Sequence, residues 1–255
     1  MTLLANGSPV TAMRADGNAV DELRIDGEVV FRPTIRTIDT PVFHYDADDL
    51  RFDEGESVDE WENIAAEDDS IAPDAHQPSS ADRPEYTESG IGGRPSVVFD
   101  GEAVLPVGMF DAPLEQPYTF AAVARADVAE AGYLFAGADN AYRSILSFDY
   151  HSDFRYWAGR SPALRTPSTT NAHVFICIAD GAHSMLRVDT VSITGDAGDL
   201  RHDGLTIGGR GDGRRRFIGA IGELRGYDFR LNPTERALLA NELAADWNLG
   251  LTYER

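Results

Sequence analysis

The sequence predicts an all-β sandwich closed by a single C-terminal helix, and three observations carry that expectation. Short runs rich in β-branched and aromatic residues recur between Gly, Pro, Asn and Asp clusters, with no helical periodicity between them; that is the pattern of an antiparallel two-layer fold. The 255 residues are 42% hydrophobic, with 12 Phe, 9 Tyr and 3 Trp, enough to fill one large core. Near the end, Asn232-Pro-Thr-Glu235 supplies an N-cap, a proline at the first helical position and a capping-box glutamate.

The chain divides into an N-terminal segment, 1–38, and a main domain, 39–255. In the first, Leu23-Arg-Ile25 and Val29-Val-Phe31 flank Asp26-Gly27, the signal for a tight hairpin. Such a ribbon is marginal alone and is expected to attach to a partner or to copies of itself. The main domain is predicted to hold strands at 42–45, 96–99, 118–125, 132–136, 144–150, 154–158, 173–179, 184–188, 204–207 and 217–227. The acidic, Pro-containing stretch 51–93 reads as surface loops anchored by Trp61. In the hairpin 144–150/154–158, a turn at His151-Ser-Asp153 sets Asp149 opposite Arg155 and Ser147 opposite Trp157. Leu146, Phe148, Tyr150, Phe154 and Tyr156 then share the core face. After Asn232, Leu239, Leu243 and Trp247 recur at helical spacing as an apolar stripe.

All 22 basic side chains are arginine, set against 43 acidic ones, for a net charge of −21. A charge of this size repels itself unless screened, and at molar salt the Debye length falls to about 3 Å. Lysine's long apolar stem is avoided while short carboxylates hold water and counterions. The composition therefore reads as that of a high-salt protein. The same charge argues against a nucleic-acid or anionic-membrane partner. No apolar stretch is long enough to span a bilayer, and the first residues lack the pattern of an export signal, so export by that route is not expected. Cys177 lies in an apolar run and reads as a buried structural thiol. The histidines show no metal-binding spacing.

Several segments follow a recognisable order. They are Tyr45-Asp-Ala-Asp48, Val58-Asp-Glu-Trp61, Arg83-Pro-Glu-Tyr86, Gly90-Ile-Gly-Gly-Arg-Pro95 and Val97-Val-Phe-Asp-Gly101. After them come Leu205-Thr-Ile-Gly-Gly209, Phe217-Ile-Gly-Ala-Ile-Gly-Glu-Leu224 and Leu231-Asn-Pro-Thr-Glu235. This succession resembles a concanavalin A-like lectin/glucanase domain of the laminin-G-like type, over residues 38–251. The resemblance implies a jelly roll of two curved antiparallel sheets, of the kind found in adhesins, carbohydrate-binding modules and virion proteins. The Asp-Gly ribbon resembles assembly segments at the start of some phage structural proteins.

The resembling glucanases carry their two carboxyls in an alternating acidic run on one strand. No predicted core strand here has one, so no catalytic residues and no enzymatic activity are expected. Calcium is a possible cofactor, with Asp46, Asp48, Asp49 and Asp53 clustered but without the glycine and final glutamate of an EF-hand loop; no ligands are assigned. Arg214, Arg215 and Arg216 form the one concentrated positive patch and read either as a solvated turn or as a contact to an acidic neighbouring subunit. Asp149, Arg155 and Trp157 form the candidate glycan patch, with Trp157 read either as buried under a loop or as a stacking face for a sugar ring.

The leading expectation is a structural protein on the capsid or tail surface of a haloarchaeal virus. It would be homo-oligomeric (a trimer, or a five- or six-fold cluster), in contact with other virion proteins and with host surface glycans. The alternative is a cellular carbohydrate-binding or adhesion module; a glycoside hydrolase is the third reading.

Overall fold

The computed structural model describes residues 40–66, 70–139, 141, 143–149 and 152–252, together with six short strands among the first 31 residues. The chain forms two units, Met1–Asp39 and Thr40–Arg255. The first holds three two-stranded ribbons: β1 (Leu4–Ala5) with β2 (Ser8–Pro9), β3 (Arg14–Ala15) with β4 (Asn18–Ala19), and β5 (Leu23–Ile25) with β6 (Glu28–Phe31). Two residues separate the partners each time: Asn6-Gly7, Asp16-Gly17 and Asp26-Gly27. The expected hairpin at Asp26-Gly27 is thus the last of three at a ten-residue spacing.

The second unit is a sandwich of two antiparallel sheets. Its strands in chain order are β7 (Phe43–Asp46), β8 (Glu60–Trp61), β9 (Ala75–His76), β10 (Glu85–Thr87), β11 (Ser96–Asp100), β12 (Leu105–Leu114), β13 (Tyr118–Ala126) and β14 (Gly132–Ala136). There follow β15 (Ile145–Asp149), β16 (Asp153–Trp157), β17 (Leu164–Pro167), β18 (Ala172–Ala179), β19 (Ser184–Val188), β20 (Val191–Gly195), β21 (His202–Ile207) and β22 (Ile218–Tyr227). The larger sheet runs β10-β11-β22-β13-β18-β19-β20, and β7 shares one edge of β22 with β11. β11 pairs with residues 218–221 and β7 with residues 223–226. The second sheet has six strands in the order β12-β21-β14-β15-β16-β17, and β8 and β9 form a small separate ribbon.

The core is aromatic. Phe43 and Phe120 of the larger sheet meet Phe110, Phe135 and His202 of the smaller one, with ring centroids 4.8–5.8 Å apart. Farther along, Phe148 and Phe154 of the smaller sheet pack on Phe175 of the larger one. Offset and edge-on ring pairs of this kind add to the burial of their large apolar area. Cys177 is buried in β18, and burial pushes its thiol well up.

Helix α1 (Pro233–Asp246) covers part of the larger sheet. Its capping box is complete: the Asn232 side chain accepts from Thr234 and Glu235 amides, and the Asn232 amide donates to Glu235 Oε2 at 2.7 Å. Leu239, Leu243 and Trp247 are fully buried, as their spacing implies. Trp247 lies so close over Gly222 that a Cβ there would be 2.4 Å from the ring. Gly222 is skipped by the β13–β22 ladder, which makes it the extra residue of a β-bulge.

Trp61 is fully buried, as expected of the anchor of the acidic loops. Strands β12, β17 and β20 lie outside the predicted set, and so do β8, β9 and β10, which correct the reading of 51–93 as surface loops. β12 contains Pro106, Gly108 and Pro113 and has two register breaks against β21, so it lacks a readable alternation.

Candidate functional site

Alternation in the six-stranded sheet sends Leu146, Phe148, Phe154 and Tyr156 into the core. The residues between them therefore point away from the sandwich. Register aligns Tyr133 (β14), Ser147 (β15), Arg155 (β16) and Arg165 (β17) in one row across four strands. The next row places Trp157 opposite Ile145. A pocket of about 180 Å³ opens on this face, lined by Glu130, Gly132, Tyr133, Ser147, Phe148, Arg155, Arg215 and Arg216.

The loop after β21 brings the two arginines in. The Tyr133 amide donates to Arg215 O at 2.8 Å, and a Cβ on Gly132 would meet Arg216 O at 2.1 Å. The loop backbone can therefore dock only because β14 begins with glycine. Arg215 itself has φ 55. Arg216 pairs with Asp82 at 2.7 Å and donates through Nε to Gly213 O. Arg214 points to solvent near Asp212, whose carboxyl is held well below its usual range by the Arg210 guanidinium.

Two donors in the pocket are buried without a hydrogen-bond partner among the described residues: Ser147 Oγ and Arg155 Nε. Ser147 is 1% exposed. Beside the pocket, Arg143 lies over the Trp157 ring at 5.4 Å from its centroid. Its Nε and Nη1 are also buried without a partner among the described residues, and burial pulls its pKa down. An unpaired buried donor costs about 1–3 kcal/mol, more when charged.

The structure brings together residues that the sequence assigned to two sites. Arg155 and Trp157 of the expected glycan patch share a face with Arg215 and Arg216 of the expected subunit contact. Trp157 is half-buried, with Arg143 of the β14–β15 connection over its ring. The expected register is corrected by two residues: Asp149 lies opposite Asp153, Ser147 opposite Arg155 and Ile145 opposite Trp157. The connection is 150–152 in place of 151–153, three residues in both cases, with Ser152 at φ 56, and moving the loop back by one residue shifts the pairing by two. The Asp149 side chain, Tyr150 and His151 lie outside the described residues. Tyr133 and Arg143 were not singled out by sequence; their signal is an aromatic and an arginine flanking the same outward row.

A second polar cluster lies at the larger sheet and α1. Asp46 pairs with Glu223 and His44 with Arg225 across β7 and β22. Glu223, 1% exposed, accepts from His44 Nε2 at 2.7 Å, from Arg225 Nε and from Trp247 Nε1 at 2.8 Å. Arg225 also donates to Glu242 at 2.7 Å. Burial alone would raise the Glu223 pKa, but these donors and the Arg225 charge hold it down to about 2. Burial and the nearby Glu223 charge push Asp46 up to about 6.

His44, Asp46 and Glu223 form the one group among the described residues with three ligand atoms within 4.8 Å of one another. It does not fit calcium, because both Glu223 oxygens already accept hydrogen bonds and the Arg225 cation adjoins them. The four clustered aspartates do not converge either: Asp48 pairs with Arg94, and Asp46 accepts from the Asp48 amide. A hollow of about 350 Å³ gathers Asp46, Asp49, Asp59, Glu60 and Glu62 with Arg51, Leu50, Phe52 and Trp61. Among the described residues no helix is long and apolar enough to cross a membrane.

This arrangement defines an all-β jelly-roll sandwich whose six-stranded sheet presents an arginine-lined pocket. No family model and no curated protein sequence matches the chain. Its fold is shared with solved structures. Domain 4 of AbnA, a GH43 extracellular arabinanase from Geobacillus stearothermophilus, in complex with arabinotriose, aligns over 78% of this chain and 98% of that domain, at 14% identity and TM-score 0.56. A Trypanosoma rangeli sialidase in complex with sialic acid aligns over 89% of this chain at 17% identity and TM-score 0.52. This chain spans only 36% of the sialidase. These likenesses correct the expectation that the chain is not an enzyme. The fold occurs within glycoside hydrolases, so a missing alternating acidic run does not exclude catalysis.

Proposed function

We propose that this chain is a surface protein of the virion of a halophilic virus, on the capsid or tail, whose jelly roll recognises glycans through the outer face of its six-stranded sheet. One observation carries the recognition reading: buried, unpartnered donors of Ser147 and Arg155 line a pocket beside a half-buried Trp157. A pocket combining convergent polar groups with an adjacent aromatic face suits a sugar ring. The sugar-bound arabinanase domain of the same fold supports the same ligand class. The lysine-free, acidic composition supports a molar-salt setting. The repeated ribbons in 1–38 would join copies of the chain, a trimer first, or bind other virion proteins.

Immunogold labelling of purified virions tests the location: label on particles is expected, and unlabelled particles would overturn it. A glycan array in molar KCl tests recognition, with Trp157→Ala expected to lose the signal; reducing-end analysis of the bound glycan reports whether it is cleaved. The second reading, a cellular carbohydrate-binding or adhesion module, is favoured by the same sugar-bound domain. It predicts glycan binding by a monomer whose mass in light scattering is unchanged when residues 1–38 are removed.

A further inference from the structure

We propose that the pocket at Arg155 takes the anionic group of an acidic glycan, a sugar carboxylate or sulfate ester, with Arg155 and Ser147 as its donors. The inference rests on the glycan-recognition reading and names the ligand class within it.

The charge pattern is the first reason. In a chain carrying −21 overall, this pocket gathers Arg155, Arg215 and Arg216 against one acidic lining residue, Glu130. Elsewhere arginines meet carboxylates: Arg225 with Glu223 and Glu242, Arg230 with Asp180, Arg201 with Asp203. Within the pocket Arg216 is matched by Asp82. Arg155 Nε is buried and has no acceptor among the described residues, although 43 carboxylates are present in the chain.

A neutral hydroxyl could satisfy Ser147 Oγ and Arg155 Nε but would bring no counter-charge to the guanidinium. An anion satisfies both, and hydrogen bonds to an ionised acceptor are about twice as strong as neutral ones.

Size and spacing agree. A volume of about 180 Å³ has room for a carboxylate or sulfate with its ring carbon. Trp157 lies two residues along β16 on the same face, about 7 Å away at the usual rise per residue, within reach of the same or the next sugar ring. Salt supplies the last argument. At a Debye length of about 3 Å exposed charges hardly attract, whereas partly buried pairs are screened much less. A brine-adapted protein that selects an anion needs its cation sunk below the surface, as Arg155 Nε is.

Isothermal titration of the full chain in molar KCl tests this, with three oligosaccharide probes: oligogalacturonate, its methyl ester, and a sulfated oligosaccharide. The acid is expected to bind at least tenfold tighter than the ester. The sulfated probe separates the two sources of the anion: binding as tight as the acid's assigns the pocket to either group, and weaker binding assigns it to the carboxylate. Arg155→Gln and Arg155→Lys should each weaken binding of the acid tenfold or more, the lysine because it lacks the planar fork. Both should melt like the parent, and Ser147→Ala should show a smaller loss. Equal binding of acid and ester, both weakened by Arg155→Gln, would overturn the anionic class while leaving the glycan site intact. No binding by any probe, or binding of the acid indifferent to Arg155→Gln, would overturn the proposal itself.

Discussion

Beneath α1, Glu223 accepts from His44, Arg225 and Trp247, whereas on the outer face of the six-stranded sheet Arg155, Ser147 and Arg143 carry buried donors with no acceptor among the described residues. The residue types are similar, arginine near tryptophan in each, but the two regions are organised oppositely. At the larger sheet each charge has a counter-charge or donor, and a helix lies over it. At the smaller sheet the face opens into a pocket lined by three arginines and one glutamate. The first arrangement holds the fold together. The second keeps hydrogen-bonding capacity that the fold does not use, and the proposed binding face rests on that capacity.

Donors without a partner among the described residues also occur in the interior, at His202 Nε2, Tyr156 Oη and Trp61 Nε1. Those groups are neutral, so each costs less than a buried guanidinium. His202 stays neutral because burial, with Arg143 nearby, pushes its pKa down to about 3. Charge together with access to a pocket separates the functional orphans from the structural ones.

The largest effect is expected at the satisfied cluster. Glu223→Gln should cost about 3–5 kcal/mol in urea unfolding, since it leaves Arg225 buried beside a neutral amide. A loss below about 1 kcal/mol would break the contrast.

Next is acid sensitivity from the core. The folded pKa of His202 lies below its ordinary 6.5, near 3, so the unfolded chain binds its proton first as pH falls. Stability is present above about pH 6.5 and should fall by on the order of 4 kcal/mol between pH 6.5 and 3. His202→Asn, which keeps an acceptor for the Ser144 amide, should flatten that slope while lowering stability at pH 7 through the cavity it leaves. A slope unchanged by the substitution would assign the acid sensitivity elsewhere.

The smallest effect is the most diagnostic. Arg155→Met should leave unfolding free energy unchanged or raise it by about 1 kcal/mol, because a buried donor with no acceptor among the described residues gives way to an apolar side chain. A loss of 2 kcal/mol or more would mean that Arg155 is structural, like Arg225.

Much of this was legible in the sequence. Strict alternation over 144–158 exposed the core face of the hairpin, and Asn232 through Glu235 spelled the helix start. The register was not legible, because it depends on Ser152 adopting a left-handed conformation that any serine can avoid. Strand β12 was hidden by its prolines and glycine. The pocket was half visible: Arg155 and Trp157 stood out as polar and aromatic residues in a core hairpin. Arg215 and Arg216 lie some 60 residues away in the chain and join them only because Gly132 lets the loop backbone approach. Glu223 gave a weak signal as a carboxylate inside an apolar strand, but its partners come from three separate elements.

A crystal structure of the chain with bound oligogalacturonate tests the central claim most directly. The account predicts a ligand oxygen within hydrogen-bond distance of both Arg155 Nε and Ser147 Oγ, with a sugar ring against Trp157. A well-ordered ligand seated on any other face, with the Arg155 pocket untouched, would contradict it.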